Sequence, residues 1–151
     1  MEKIRILIVE DSPTVQTLLV HILQDDPDIE VIGQAVNGRE GVAMTAQLKP
    51  DIILMDVVMP EMDGLEATRQ IMTHDPRPII IVTAHADSAE MNVAFEALKA
   101  GALEIVPKPV DIESKVKIGW GQELLVTIKA IIRSHPSLHS LESADRRDKT
   151  K

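Results

Sequence analysis

No cysteine occurs in the 151 residues, so the chain carries neither a disulfide framework nor a thiolate zinc site. The missing disulfides accord with a reducing compartment, and a cytoplasmic location is expected. Tyrosine is absent as well, and phenylalanine and tryptophan occur once each, as Phe95 and Trp120. Basic residues are scarce: 16 Lys and Arg stand against 24 Asp and Glu, a formal charge of −8. Nucleic-acid affinity rests mainly on clustered basic side chains, so no direct nucleic-acid partner is expected. Long hydrophobic runs are also missing. Ile6 to Val9 is far too short for a signal-peptide core and runs into Glu10-Asp11, and no stretch approaches a membrane span. No membrane partner is expected.

What is present is 44% hydrophobic residues, enough for one sizeable core in a chain of this length. Short apolar runs at Ile4 to Val9, Glu30 to Val36, Ile52 to Met55, Ile79 to Val82 and Leu103 to Val106 read as strands buried on both faces. Helical patterns lie between them. Val15, Leu18, Leu19, Ile22 and Leu23 form one apolar stripe, with Ser12 placed to cap and Pro13 in the tolerated first turn. Val42 to Leu48, Leu65 to Met72 and Ala89 to Ala100 follow, the last closed by Gly101. A final stripe runs through Leu124, Leu125, Ile128, Ile131 and Ile132. Strict strand–helix alternation predicts an α/β fold, a parallel sheet covered by helices on both faces. Residues 1–134 read as one domain, and 135–151, polar and without helical periodicity, as a disordered tail or linker.

Sheets of this kind place their sites beyond the carboxyl ends of the strands. There the first strand runs into Glu10-Asp11 and the third delivers Asp56, out of the segment "DIILMDVVMPEMDG". Neighbouring carboxylates stay ionised together only when a cation shares them, and an all-oxygen set suits a hard divalent ion such as Mg²⁺. The plainer alternative is that these acids cap the following helices. Thr83 and Lys108 end the fourth and fifth strands, and a hydroxyl and an ammonium are what a phosphoryl group on Asp56 would require. Pro60 is expected to prevent early helix formation, and Gly64 to supply the permissive backbone that turns the loop back.

The combination "VEDS", "DIILMDVVMPEMDG", "TA" and "KP" resembles the receiver domain of two-component response regulators, over Ile4 to about Arg133. The resemblance implies a doubly wound, flavodoxin-like (βα)5 fold with five parallel strands in the order 2-1-3-4-5. It also implies that Asp56 accepts a phosphoryl group from a sensor histidine kinase, with Thr83 and Lys108 contacting the phosphoryl oxygens. Asp11 and Asp56 would bind Mg²⁺ directly, Glu10 through water and Val58 through its backbone carbonyl. The Lys108–Pro109 bond would be cis. Side chains at Val58 and His85 would set the lifetime of the phosphoform. The domain would be a signalling unit whose only catalysis is its own phosphorylation and dephosphorylation.

Two departures stand out. The family's fifth-strand aromatic is replaced by Ile105, so the usual aromatic readout is missing. Phe95, four residues after Met91, reads as core rather than as its substitute. An extended "VDIESKVKIGWG" separates Lys108-Pro109 from the last helix, and with "RPIIIVTA" and "LKAGALEIVPKP" this is similar to the receiver of chemotaxis-type methylesterases. Trp120 is expected to staple the last helix onto the body. No G-x-S-x-G nucleophile motif occurs, so an esterase output domain would have to lie elsewhere in a longer chain. The competing readings are an aspartyl-nucleophile phosphatase or phosphotransferase, disfavoured because Val58 stands where such an enzyme places its acid, a flavodoxin-like cofactor binder, and a degenerate receiver acting as a binding module.

Overall fold

The computed structural model describes residues 2–84, 88–109 and 118–134. The chain runs β1 (Ile4–Val9), α1 (Pro13–Gln24), β2 (Ile29–Ala35), α2 (Gly38–Leu48), β3 (Ile52–Asp56), α3 (Gly64–His74), β4 (Ile79–Thr83), α4 (Ser88–Lys99), β5 (Glu104–Pro107) and α5 (Trp120–Ser134). All strand pairs are parallel, in the order β2-β1-β3-β4-β5. This is the doubly wound topology that the resemblance implies.

Alternation along the strands divides the core in two. Ile4, Ile6, Ile8, Ile52, Leu54, Ile80 and Val82 face one cluster, closed by Leu19 and Leu23 of α1 and Leu124 and Ile128 of α5. Leu7, Val9, Ile53, Met55, Ile79 and Ile81 face the other, closed by Ala67 and Ile71 of α3 and Ala94 and Ala97 of α4. A period of two sends successive side chains to opposite faces, which is why β1, β3 and β4 read as unbroken apolar runs. The expectation of double-sided burial fails for β2 and β5, which carry exposed and half-buried positions. They are the edges of the sheet, so each lacks a neighbour on one side.

The helix boundaries follow local chemistry. Ser12 Oγ accepts from Val15 N at 3.3 Å with Pro13 in the first turn, as expected, and Asn37 and Asp63 cap α2 and α3 in the same way. α4 closes with two paired bonds, Ala102 N to Ala97 O and Gly101 N to Leu98 O, both at 3.0 Å, and Gly101 takes φ +125°. That is the left-handed stop for which glycine is suited. Phe95 corrects the sequence reading: it is 51% exposed. The sheet-facing side of α4 is set by Ala94 and Ala97, and one residue beyond Ala94 the helix has turned Phe95 outward. No described helix is long and apolar enough to cross a membrane.

Candidate functional site

Glu10 directly follows β1, Asp56 and Thr83 are the last residues of β3 and β4, and Lys108 directly follows β5. In a parallel sheet all four therefore stand at one edge. Their backbones are held by bonds that continue the ladder: Glu10 N donates to Ala35 O at 2.9 Å and Lys108 N to Thr83 O at 2.9 Å. Helix capping does not occupy the acids, because Ser12 caps α1 and Asp63 caps α3. The side chain of Glu10 instead accepts from Ser12 N at 3.0 Å, and Asp56 Oδ1 from Val57 N at 2.8 Å.

Lys108 Nζ bridges the cluster, 3.2 Å from Asp56 Oδ2 and 3.2 Å from Glu10 Oε1, and both acids are buried. One ammonium cannot offset three carboxylates. Burial, and then the negative charge of Glu10, pushes the Asp56 carboxyl up to about 8, with Lys108 opposing the rise. Burial also works against the Lys108 charge, but Asp56 and Glu10 outweigh it and hold the ammonium above its ordinary value.

Glu10, Asp11 and Asp56 each offer a carboxylate oxygen within 4.8 Å of the others. The donor set is all oxygen, Glu10 and Asp56 are buried, Asp11 is exposed, and the one ammonium at 3.2 Å from Glu10 Oε1 leaves the cluster with excess negative charge. These residues fit a hard cation with solvent access on one side, which would remove the electrostatic cause of the raised Asp56 carboxyl.

Thr83 is buried, and its Oγ1 has no hydrogen-bond partner among the described residues. A buried polar group without a partner costs free energy. Val58 lies beside the acids in sequence and is 63% exposed. Ile105 is half-buried against the α3–α4 side of the core. His85 lies outside the described residues, as does the 135–151 tail. No peptide bond among the described residues is cis, so Lys108–Pro109 is trans, contrary to the family expectation; the trans form is the intrinsically preferred one for X-Pro.

Three supports act in ways not anticipated from the sequence. Gln16 is buried on α1, and its Nε2 donates to Glu10 O at 3.0 Å and Ala35 O at 2.8 Å, tying together the ends of β1 and β2. Its signal was a polar residue between Val15 and Leu19 on the buried side of the helix. Gly64 does not act through a permissive φ: the residue at positive φ in this loop is Glu61, at 66°. A Cβ on Gly64 would instead stand 2.0 Å from Asp56 O, so close passage of the backbone is what requires glycine. Trp120 is buried and staples α5 to the body as expected, and its Nε1 also donates to Pro107 O at 2.7 Å.

The chain is 47% identical over 130 residues to protein-glutamate methylesterase/protein-glutamine glutaminase 3 of Anaeromyxobacter dehalogenans, covering 86% of this chain and 38% of that protein. It is 53% identical over 106 residues to protein-glutamate methylesterase/protein-glutamine glutaminase 1 of Syntrophus aciditrophicus, covering 70% and 30%. The chain thus spans under two-fifths of the length of these relatives. Among solved structures, the response regulator domain of Thermotoga maritima CheB superposes with a TM-score of 0.74 at 34% identity, over 85% of this chain and 96% of that one. A LuxR-family two-component response regulator from Aurantimonas sp. SI85-9A1 gives a TM-score of 0.73 at 31% identity, over 88% and 87%. Residues 6–118 match the response regulator receiver domain, and the chain belongs to that family.

Proposed function

We propose that Asp56 is the phosphoacceptor of this receiver and that the donor is the phosphohistidine of a sensor histidine kinase. The observation that carries the reading is Lys108 Nζ set 3.2 Å from both Asp56 and Glu10, at the sheet edge where Thr83 holds an unpartnered hydroxyl. An Asp56 carboxylate oxygen attacks phosphorus as the P–N bond to the donor imidazole breaks, the bonding pair remaining with the imidazole. Lys108 offsets the charge on the transferring group, and Thr83 donates its hydroxyl to a phosphoryl oxygen. Glu10, Asp11, Asp56 and the Val58 carbonyl would hold Mg²⁺, which supplies neutralisation of the phosphoryl charge beside the acids.

The phosphoform then presents an altered surface to its target. Because the methylesterase relatives are longer than the matched segment, we extend the reading to control of an output unit of that kind, in the same polypeptide or a partner, with residues 135–151 as linker or tail. Intact mass after incubation with Mg²⁺ and a small-molecule phosphodonor tests the assignment. A single phosphoryl adduct is expected in the wild type and none in Asp56→Asn or in chelator. An adduct that persists in Asp56→Asn would falsify it.

A further inference from the structure

The peptide unit between Pro107 and Lys108 is gripped from both sides. Its N–H donates to Thr83 O at 2.9 Å, across to β4, and its C=O accepts from the Trp120 indole N–H at 2.7 Å. In a trans peptide the two groups point in opposite directions, so the carbonyl faces the side of β5 away from β4, where no strand lies among the described residues. Trp120 takes that place. It is the first residue of α5, it is 4% exposed, and it belongs to the same core cluster as Leu124 and Ile128 of that helix.

Two glycines set the indole there. Gly119 adopts φ +77° with no neighbour near its missing Cβ, so backbone conformation alone calls for glycine. On the other side, a Cβ on Gly121 would stand 3.0 Å from Ile22 Cγ2 of α1, so α5 enters close against that helix.

The chain therefore has a continuous set of short contacts from Asp56 to Lys108 Nζ, along the Lys108 backbone to the Pro107 carbonyl, and on to the first residue of α5. We propose that Trp120 is a positioning residue for Lys108, and that its indole hydrogen bond carries a change at the phosphorylation site into the start of α5. This rests on the reading of Asp56 as phosphoacceptor. It offers a route for the signal that needs no aromatic at Ile105, because the moving part is the peptide next to Lys108 rather than a ring in β5.

Trp120 is the sole tryptophan, so the emission comes from this indole alone. In the full chain, Mg²⁺ with beryllofluoride should shift or quench that emission, and the change should be lost in Lys108→Met, whose side chain cannot follow the acyl-phosphate mimic. Trp120→Phe keeps an aromatic ring and removes the donor; its adduct at Asp56 should form roughly two- to tenfold more slowly, the rate equivalent of one neutral hydrogen bond. If the wild type forms the adduct while Trp120 emission stays constant, the inference is overturned and the phosphoacceptor reading stands. It is equally overturned if emission changes identically in Lys108→Met. If no adduct forms in the wild type, the phosphoacceptor reading fails and takes this inference with it. The emission measurements need only the wild type and the Lys108 variant, so a misfolded Trp120→Phe leaves the test intact.

Discussion

Gly64 passes so close to Asp56 that a single methyl group at its Cα would stand 2.0 Å from the Asp56 carbonyl oxygen. Its N–H also donates to Val57 O at 2.9 Å, so the start of α3 is docked on the backbone that carries the acid. Both partners in the clash are main chain, and neither can rotate aside. Gly64→Ala should cost roughly 1–3 kcal/mol by overpacking and displace Asp56. A lowered urea midpoint together with slower phosphorylation is expected, and an unchanged midpoint would show that the loop yields freely.

Asp56 is the site of an electrostatic cost to folding. Its folded value of about 8 lies above the ordinary value of 3.8, so folding favours the protonated form. The favourable contribution is complete below the unfolded value and is lost as pH rises through about 8. In chelator, the wild type should therefore lose stability between pH 5 and pH 9. Asp56→Asn should lack that loss and exceed the wild type at the alkaline end, by on the order of a few kcal/mol. Thermal melts across this range provide the check, and Mg²⁺ should narrow the difference by stabilising the wild type selectively. A parallel pH dependence in the two proteins would place the cost elsewhere.

Substitution of Thr83 is expected to separate stability from signalling. Its buried hydroxyl has no partner among the described residues, so replacing it with an isosteric methyl forfeits no hydrogen bond. Thr83→Val should be neutral or stabilising, within about 1 kcal/mol in urea titration. The same variant should accept a phosphoryl group but fail to transmit it. Amide exchange with beryllofluoride should show altered protection in β4, α4 and β5 of the wild type and none in the variant. A normal exchange response in Thr83→Val would remove the threonine from the switch.

Val58 is expected to govern the lifetime of the phosphoform. It is 63% exposed beside the acids, and its methyl groups cannot orient an attacking water. Val58→Asn should leave folding stability within about 0.5 kcal/mol, as for most surface changes. Decay of the adduct after donor removal should become several-fold faster in Mg²⁺ buffer. Equal or slower decay would mean that lifetime is set by another group, such as His85 or a partner.

By itself the sequence determined the alternation of strands and helices and the identity of the polar residues at the strand ends. Both are local properties: period-two and period-3.6 patterns fix which segments are buried, and a polar residue closing an apolar run is visible without any partner. Capping by Ser12 and the stop at Gly101 were readable for the same reason. Tertiary structure alone decided which polar groups meet. Lys108 reaches Glu10 across 98 positions and Asp56 across 52, and no local pattern encodes that distance. It also decided that Phe95 faces outward, because the buried side of α4 depends on the sheet beneath it. Gly64 was recognisable as a turn residue, but its actual constraint is the passing Asp56 carbonyl. The bond from Trp120 to Pro107 has the same origin, since an edge-strand carbonyl finds its donor only once α5 has packed against the finished sheet.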